Sequence, residues 1–399
     1  MLYKNVLPLA LATGVLAQSD TPSLTEALAS QNDTLSSLTT LIGTLPDEVV
    51  QSLSEAQNIT ILAPSNDALE AFLNNTAASA AIAADPGLIL AVLQYHILNG
   101  TYYASNITGA DGPLFVPTML TNETYANVTG GQRVEVIPPE GDDSDVTFYS
   151  GLKENSTVQQ ADLNFTGGTI HIIDRVLTLP LNISDTLRAA NLTATLGAVQ
   201  RADVGEALGE ARDLTVFAPD NSAFAAIANL VGGDNGLNQS ALASILEYHV
   251  VAGQVLYSDL IENTTLETLG GGELTVSVVN GSVFVNSAEV VVQDVLISNG
   301  VVHVINNVLN PGNTTATPDP SASTPVPAFT GASTVSGGAN PLTSGVEGPT
   351  STAPIATGAN PGAEGGGGTS TSTEAAPMRT AAVGVAALFG AGVVAFNNM

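Results

Sequence analysis

The chain has 399 residues, no cysteine, and a formal net charge of −29 from 37 acidic and 8 basic side chains. The missing cysteines exclude a disulfide framework, a cysteine-ligated metal site and thiol catalysis. The shortage of Lys and Arg excludes nucleic acid as a partner and argues against anionic lipid head groups, because both are bound through clustered positive charge.

The N-terminus is typical of a secretory signal peptide, which we predict over residues 1–17. Lys4 supplies the positive start, residues 6–16 are mostly apolar, and Val15-Leu16-Ala17 gives a cleavage site of small residues. We therefore expect the protein to enter the secretory pathway.

Three sequence blocks occur twice in the same order, and all four histidines of the chain lie in them. The blocks span residues 60–66 and 215–221, 93–97 and 246–250, and 168–177 and 300–309. Such repetition indicates duplicated structural units. The sequence predicts two tandem domains, at 23–180 and 182–311, with a connection so short that the domains should touch.

Each unit begins with helical patterns and ends with strand patterns. Leucines at helical spacing lie around 24–41 and 187–199, and short strands follow at 59–62 and 214–217. Ser65 and Asp220 are good caps for the next helix, and a further helix at 86–95 or 239–248 ends at a Tyr-His pair. The remainder is β-rich, and its apolar last strand, at 170–177 or 301–309, is predicted to be central in the sheet.

The first unit is longer than the second between the matching histidines. His96 and His171 are 75 residues apart, whereas His249 and His303 are 54 apart. The additional residues fall around 115–127 and 138–145. The second of these stretches is acidic but lacks the spacing of a calcium-binding loop, so we predict a solvated surface turn there.

Taken together, the three blocks resemble the fasciclin (FAS1) domain, and the resemblance covers about residues 23–311. It implies an α+β fold in which each domain is a β-sandwich-like wedge flanked by helices. It also implies extracellular work in adhesion, matrix or cell-wall contacts, as in fungal or plant surface fasciclin-like proteins.

The same resemblance implies a set of candidate adhesion residues, which are Tyr95, His96, Tyr248, His249, Asp162 and Asp294. The two aspartates match a family Asp-Ile pair in the aspartate only, because Leu163 and Val295 follow them.

A catalytic or metal-binding role is the alternative for the histidines. Ser-His-Asp catalysis would need a carboxylate at matching positions, but Asp174 in the first unit corresponds to Asn306 in the second. Two histidines in each unit are too few for a metal site. We therefore predict no enzyme, no cofactor and no metal, and interpret the histidines as buried rings whose nitrogens bind backbone groups.

The composition changes beyond residue 311. Pro, Ser, Thr and Gly dominate residues 312–368, which we predict to be a disordered stalk. Residues 369–399 combine a polar spacer with an apolar tail, and after a run of small residues this is the signal for GPI attachment. Gly367 is the predicted attachment residue, and the competing interpretation of the tail is a short membrane span.

Asn-x-Ser/Thr sequons support an extracellular location, since each is a candidate N-glycosylation site. They lie at Asn32, Asn58, Asn74, Asn106, Asn122, Asn127, Asn155, Asn164, Asn182, Asn191, Asn238, Asn263, Asn280 and Asn313.

These observations favour a GPI-anchored, N-glycosylated cell-surface protein that mediates adhesion or cell-wall contacts. Its expected partners are cell-surface or cell-wall proteins and glycans, with homophilic contacts also open, and its only expected membrane attachment is the lipid anchor. The alternative is a binding module for wall glycan or a small apolar ligand. A cell-surface hydrolase ranks third, because no second catalytic partner accompanies the histidines in both units.

Overall fold

The computed structural model describes residues 21–139, 145–232, 236–314, 316–319, 325–335 and 340–348. The predicted signal peptide at 1–17, the predicted attachment residue Gly367 and the predicted attachment signal at 369–399 lie outside the described residues. Within them, the chain forms two α+β domains of one architecture, each a wedge of β-strands flanked by helices.

The first domain begins with its helical layer and ends with its sheet. Its helices are α1 (Leu24–Ser30), α2 (Asn32–Ile42), α3 (Asp47–Glu55), α4 (Asn66–Leu73), α5 (Thr76–Ala84), α6 (Gly87–Tyr95) and α7 (Ala104–Thr108). Its strands are β1 (Ile59–Pro64), β2 (Ile97–Asn99), β3 (Leu114–Pro117), β4 (Arg133–Ile137), β5 (Thr147–Tyr149), β6 (Asn155–Phe165) and β7 (Gly168–Ile173).

The strands follow the order β2-β1-β7-β6-β5-β4-β3, in which β1 and β7 are parallel and the other neighbours antiparallel. The register between β6 and β7 shifts twice, and such bulges increase the local twist of a sheet. A bridge between Leu98 and Thr118 joins the two ends of the sheet. The sheet is therefore nearly closed, like a barrel, around an apolar core.

The second domain repeats this arrangement. Its helices are α8 (Ile183–Ala189), α9 (Thr193–Ala202), α10 (Gly205–Glu210), α11 (Asn221–Ala226), α12 (Ala228–Val231) and α13 (Gln239–Tyr248). Its strands are β8 (Leu214–Pro219), β9 (Val250–Val251), β10 (Thr264–Glu267), β11 (Glu273–Val279), β12 (Ser282–Val285), β13 (Ala288–Ile297) and β14 (Gly300–Ile305), in the order β10-β11-β12-β13-β14-β8-β9. Here β8 and β14 form the parallel pair.

The third repeated block begins with glycine for a steric reason. Gly168 has a φ of +155°, and a Cβ at this position would overlap the carbonyl oxygen of Ile59 on the neighbouring strand. Gly300 has a φ of +156°, and a Cβ there would overlap the carbonyl oxygen of Leu214. Both the backbone conformation and the close approach of the parallel strands therefore require glycine.

The sequence located most of these elements. The helices predicted to end at the Tyr-His pairs are α6 and α13, and β7 and β14 lie inside their sheets as expected. The predicted ends of the last strands were wrong, because β7 stops at Ile173 and β14 at Ile305. The backbone N–H groups of Leu177 and Leu309 instead bind histidine side chains.

The two domains touch, and β3 and the connection that follows it supply contacts from the first domain. The Phe115 ring stacks on Tyr257, with 4.5 Å between the ring centroids. The backbone N–H of Asn127 donates to Ser298 O at 2.7 Å, and Gln132 Nε2 donates to Ile297 O at 3.0 Å. Phe115 lies in β3, whose counterpart is β10, whereas Asn127 and Gln132 lie between β3 and β4, in a connection longer than that between β10 and β11. The insertion that the sequence placed around 115–127 therefore falls mainly after β3, and it supplies part of the interdomain contact.

Part of the segment predicted to be a stalk lies against the second domain. Phe329 and Leu342 pack against its apolar core, and Asn310 Nδ2 donates to Ala328 O at 3.0 Å. The carbonyl oxygen of Leu342 occupies the space that a Cβ on Gly197 of α9 would fill. The disordered stalk over 312–368 stays a prediction, and these described parts of it are held on the domain by apolar side chains.

Among the described residues, no single helix is long and apolar enough to cross a membrane. The helices Ala78–Ala84 and Gly87–Tyr95 together have the length and apolar composition of a membrane span, but the chain bends by 119° between them.

Candidate functional site

The tyrosine of each Tyr-His pair is a core residue that joins a helix to a strand. Tyr95 is 0 % exposed and Tyr248 is 1 % exposed. Tyr95 Oη donates to Arg133 O at 2.9 Å, at the start of β4. Tyr248 Oη donates to Glu273 O at 2.7 Å, at the start of β11. Buried hydroxyls need such partners, so the rings fix the helix end against the sheet.

The histidine of each pair caps its helix and binds the chain beyond the last strand. His96 Nδ1 contacts Val92 O at 2.7 Å, and His96 Nε2 accepts from the Leu177 N–H at 2.9 Å. His249 repeats both distances with Ile245 O and the Leu309 N–H. Because Nε2 accepts, Nδ1 must carry the proton and the ring must be neutral.

Burial also keeps the rings of His96 and His249 uncharged. It lowers the pKa of His96 and of His249 to about 4, from an ordinary value of 6.5. Water is excluded from both rings, and a charged imidazole in such surroundings is unfavourable. At neutral pH, neither histidine has a free nitrogen with which to act as a general base.

The second histidine of each domain has the opposite tautomer. His171 Nε2 contacts Tyr102 O at 2.7 Å, and its Nδ1 accepts from the Asp162 N–H at 3.2 Å. In the second domain His303 Nε2 contacts Leu256 O at 2.8 Å. Burial lowers the pKa of both rings. The interpretation of all four histidines as buried rings bound to backbone groups is confirmed.

The candidate aspartates lie at matching bulges of β6 and β13, and both have a left-handed φ near +60°. Asp162 Oδ1 accepts from the Ala104 N–H at 3.0 Å, at the start of α7. Asp294 Oδ1 accepts from the Ser258 N–H at 2.9 Å, at the start of a short 3₁₀ turn. Each carboxylate therefore binds an earlier loop, whose Tyr102 or Leu256 carbonyl contacts the histidine of the same domain.

The structure thus separates the candidate adhesion residues by exposure. The Tyr-His side chains and Asp294 are buried, whereas Asp162 keeps 39 % of its side chain exposed. Asp162 lies beside His171, and Asp294 lies beside His303. Neither aspartate contacts the Tyr-His pair of its domain in this arrangement. In this conformation a partner at the Tyr-His region would touch neighbouring residues, and adhesion there stays a prediction.

Among the described residues, no group of three or more His, Asp or Glu side chains is arranged to hold a metal ion.

Sequence reasoning missed an apolar groove in the first domain, which we call the α3 groove. It has a volume of about 350 Å³ and lies between α2, α3 and α6, beside β1. Its lining includes Leu38, Ile42, Val49, Leu53, Leu90 and Leu93. The helical spacing of the leucines around 24–41 predicted apolar helix faces, but spacing does not show that part of such a face lacks a partner.

The sequons are mostly accessible. Thirteen of the fourteen asparagines are exposed, and Asn127 is half-buried between the domains. Its Nδ2 donates to Glu210 O at 3.3 Å.

Comparison with known proteins finds one protein family that matches both domains. The Fasciclin domain family matches residues 34–180 and again 190–311. A fasciclin-like arabinogalactan protein of Arthroderma benhamiae is 35 % identical over 276 residues, which are 68 % of this chain and 62 % of that protein. The chain therefore spans less than two thirds of that relative.

A fasciclin-like arabinogalactan protein of Cercospora beticola is 32 % identical over 305 residues, which are 74 % of this chain and 78 % of that protein. Among solved structures, a FAS1 domain pair from the insect cell adhesion molecule fasciclin I is 23 % identical. The match covers 71 % of this chain and 99 % of that one, with a TM-score of 0.36.

Proposed function

Because this chain belongs to the fasciclin domain family, we propose that it is a cell-surface protein that makes adhesive or cell-wall contacts through its paired domains. The observation that carries this proposal is the use of all four histidines to hold the fold. Their ring nitrogens bind backbone groups in both domains, so they offer no acid-base chemistry. A surface that binds, and does not catalyse, fits this arrangement.

The proposed partners are proteins and glycans of the cell surface or cell wall. The excess of acidic side chains gives the chain a negative field, which favours solubility and opposes close contact between copies. Homophilic contact would therefore strengthen with ionic strength, because salt screens this repulsion. Contact with a neutral or basic wall component would not need a high ionic strength, because no repulsion between like charges opposes it.

We also propose that the mature protein is N-glycosylated and anchored through a GPI group at Gly367. Support comes from the exposure of thirteen sequon asparagines and from the order of small residues, spacer and apolar tail in the sequence. Treating intact cells with phosphatidylinositol-specific phospholipase C should release the protein. Retention on the cells after treatment would contradict the anchor but leave adhesion open.

Attachment of cells under flow tests the adhesive role. Cells that lack the gene should detach at lower shear than cells that carry it, and the full chain should restore attachment. A chain that ends before residue 369 provides the control, since it keeps both domains but lacks the predicted anchor signal. We expect it in the medium, without restored attachment. Equal attachment with and without the gene would contradict the proposal.

A further inference from the structure

The α3 groove is apolar along almost its whole length. Leu, Ile and Val side chains from α2, α3 and α6 form its walls, and Ile59 and Ile61 of β1 also line it. Its volume of about 350 Å³ is within the range of about 300–1,000 Å³ that is usual for small-molecule sites. The groove is therefore large enough for a compact organic molecule.

The lining determines what kind of molecule fits. Glu48 and His96 are its ionisable residues, and both ring nitrogens of His96 already bind backbone groups. A peptide or a sugar carries more N–H, C=O or hydroxyl groups than Ser52, Gln94 and Glu48 can pair, and each group buried unpaired costs free energy. A carboxylate or phosphate would meet the negative charge of Glu48 and find no lining cation. An uncharged hydrocarbon avoids both costs.

In the described part of the second domain, the helices that correspond to α2 and α6 are arranged differently. There α9 packs directly against α13, whereas α2 and α6 of the first domain make little direct contact. Leu342 and Val346, which follow the second domain in the chain, lie against Gly197 of α9. The two domains share a fold, but α2 and α6 stay apart in the first domain and leave the α3 groove between them, whereas the corresponding helices α9 and α13 meet in the second.

We propose that the α3 groove binds one uncharged aliphatic chain, such as that of a long-chain alcohol or an acyclic isoprenoid. Burying such a chain removes apolar surface from water on both partners, which stabilises the complex. The ligand's polar end would lie at the exposed side of α3, near Glu48. This site goes beyond the proposed surface contacts and does not depend on them.

Binding of the neutral fluorescent probe N-phenyl-1-naphthylamine to the purified secreted chain tests the proposal. We expect saturable binding of one probe per chain, and displacement of the probe by 1-dodecanol. Val49→Trp places a large side chain in the groove and should weaken probe binding at least about tenfold. Val50→Trp is the matched control, since Val50 is the next residue of α3 and does not line the groove. Equal binding by the two variants would overturn the proposal.

The charge at the groove gives a second measurement, which does not require the Val49→Trp variant to fold. Dodecanoate at pH 8 should displace the probe less well than 1-dodecanol, because its carboxylate meets Glu48. Glu48→Lys, an exposed substitution, should narrow this difference by about 3- to 10-fold. If dodecanoate and 1-dodecanol displace the probe equally from the native chain, or if Glu48→Lys leaves their ratio unchanged, the proposed site is wrong.

Discussion

His96 Nε2 accepts a hydrogen bond from the backbone N–H of Leu177, which lies 81 residues further along the chain, at 2.9 Å. His249 and Leu309 form the same bond at the same distance in the second domain. In each case the ring joins the C-terminal end of a helix to the segment that leaves the central strand. The neutral form of the histidine is therefore part of the fold, and stability should depend on its protonation.

The stability of the protein should fall as the pH falls from 6.5 towards 4. The pKa of His96 and His249 is lowered to about 4 in the folded protein, so the unfolded chain binds more protons in this range. Each histidine should contribute about 3 kcal/mol that is complete above pH 6.5 and lost near pH 4. Urea unfolding at pH 7.5, 6 and 5 measures the loss.

The double variant His96→Gln and His249→Gln is the control for this pH dependence. It removes His96 and His249 but leaves His171, His303 and the carboxylates, which also titrate on acidification. We expect it to be less stable than the native chain at pH 7.5 and to lose less stability between pH 6.5 and pH 5. An unchanged dependence on pH would mean that the two rings do not determine it.

The two core tyrosines should differ in their contribution to stability. Tyr95→Phe leaves the carbonyl of Arg133 without its partner and should cost about 1–2 kcal/mol. Tyr248→Phe should cost more, because Tyr248 Oη also accepts from Asn286 Nδ2 at 3.0 Å, and Asn286 is buried. Chemical unfolding of the two variants compares them, and a larger loss for Tyr95→Phe would contradict this reasoning.

The sequence predicted the repeated framework because local rules determine it. Gly168 and Gly300 are required by close contact between strands, and the side chains of Ser65 and Asp220 accept from the backbone of α4 and α11 as predicted. Burial of the histidines also followed from their apolar neighbours. These features depend on spacing and residue type, which a single sequence shows directly.

Contacts between segments that are distant in the chain could not be predicted from spacing and residue type. The α3 groove exists because α2 and α6 stay apart, whereas α9 and α13 meet. Leu342 sits on α9 from within a segment whose composition predicted no packing at all. The bond between His96 and Leu177 likewise depends on how far the central strand extends, and single-sequence patterns locate strand ends poorly.

The buried ion pair of the first domain should respond very differently to single and double substitution. Lys153 Nζ lies 2.7 Å from Glu135 Oε2, and the side chains are 5 % and 2 % exposed. Burial raises the pKa of Glu135 to about 7, and Lys153 opposes that rise. Lys153→Met leaves the carboxyl group buried without its cation and should cost about 3–5 kcal/mol at pH 8.

Replacing both partners tests whether the missing charge is the cause. The double variant Glu135→Leu and Lys153→Met removes both charges, and we expect it to recover most of the stability that Lys153→Met loses. Unfolding of the native chain and of the single and double variants at pH 8 gives the coupling between the two residues. Equal losses for Lys153→Met and the double variant would show that packing, and not the unpaired carboxylate, determines the effect.

Asn127 should remain unmodified, although it lies in a sequon. Its Nδ2 donates to Glu210 O at 3.3 Å and its N–H donates to Ser298 O, so the residue is part of the interdomain contact. A glycan is joined to the same Nδ2 atom and would separate the two domains. Asn164 is the matched comparison, since it is exposed on β6 and we expect it to carry a glycan.

Peptide mass mapping of the secreted protein distinguishes the two asparagines. Asn164→Gln should remove one glycan from the chain, whereas Asn127→Gln should leave the total glycan mass unchanged. Glycosylation of Asn127 in the native protein would require the two domains to separate at Glu210 and Ser298. In that case hydrogen exchange should be fast at the N–H of Asn127, which the contact otherwise protects.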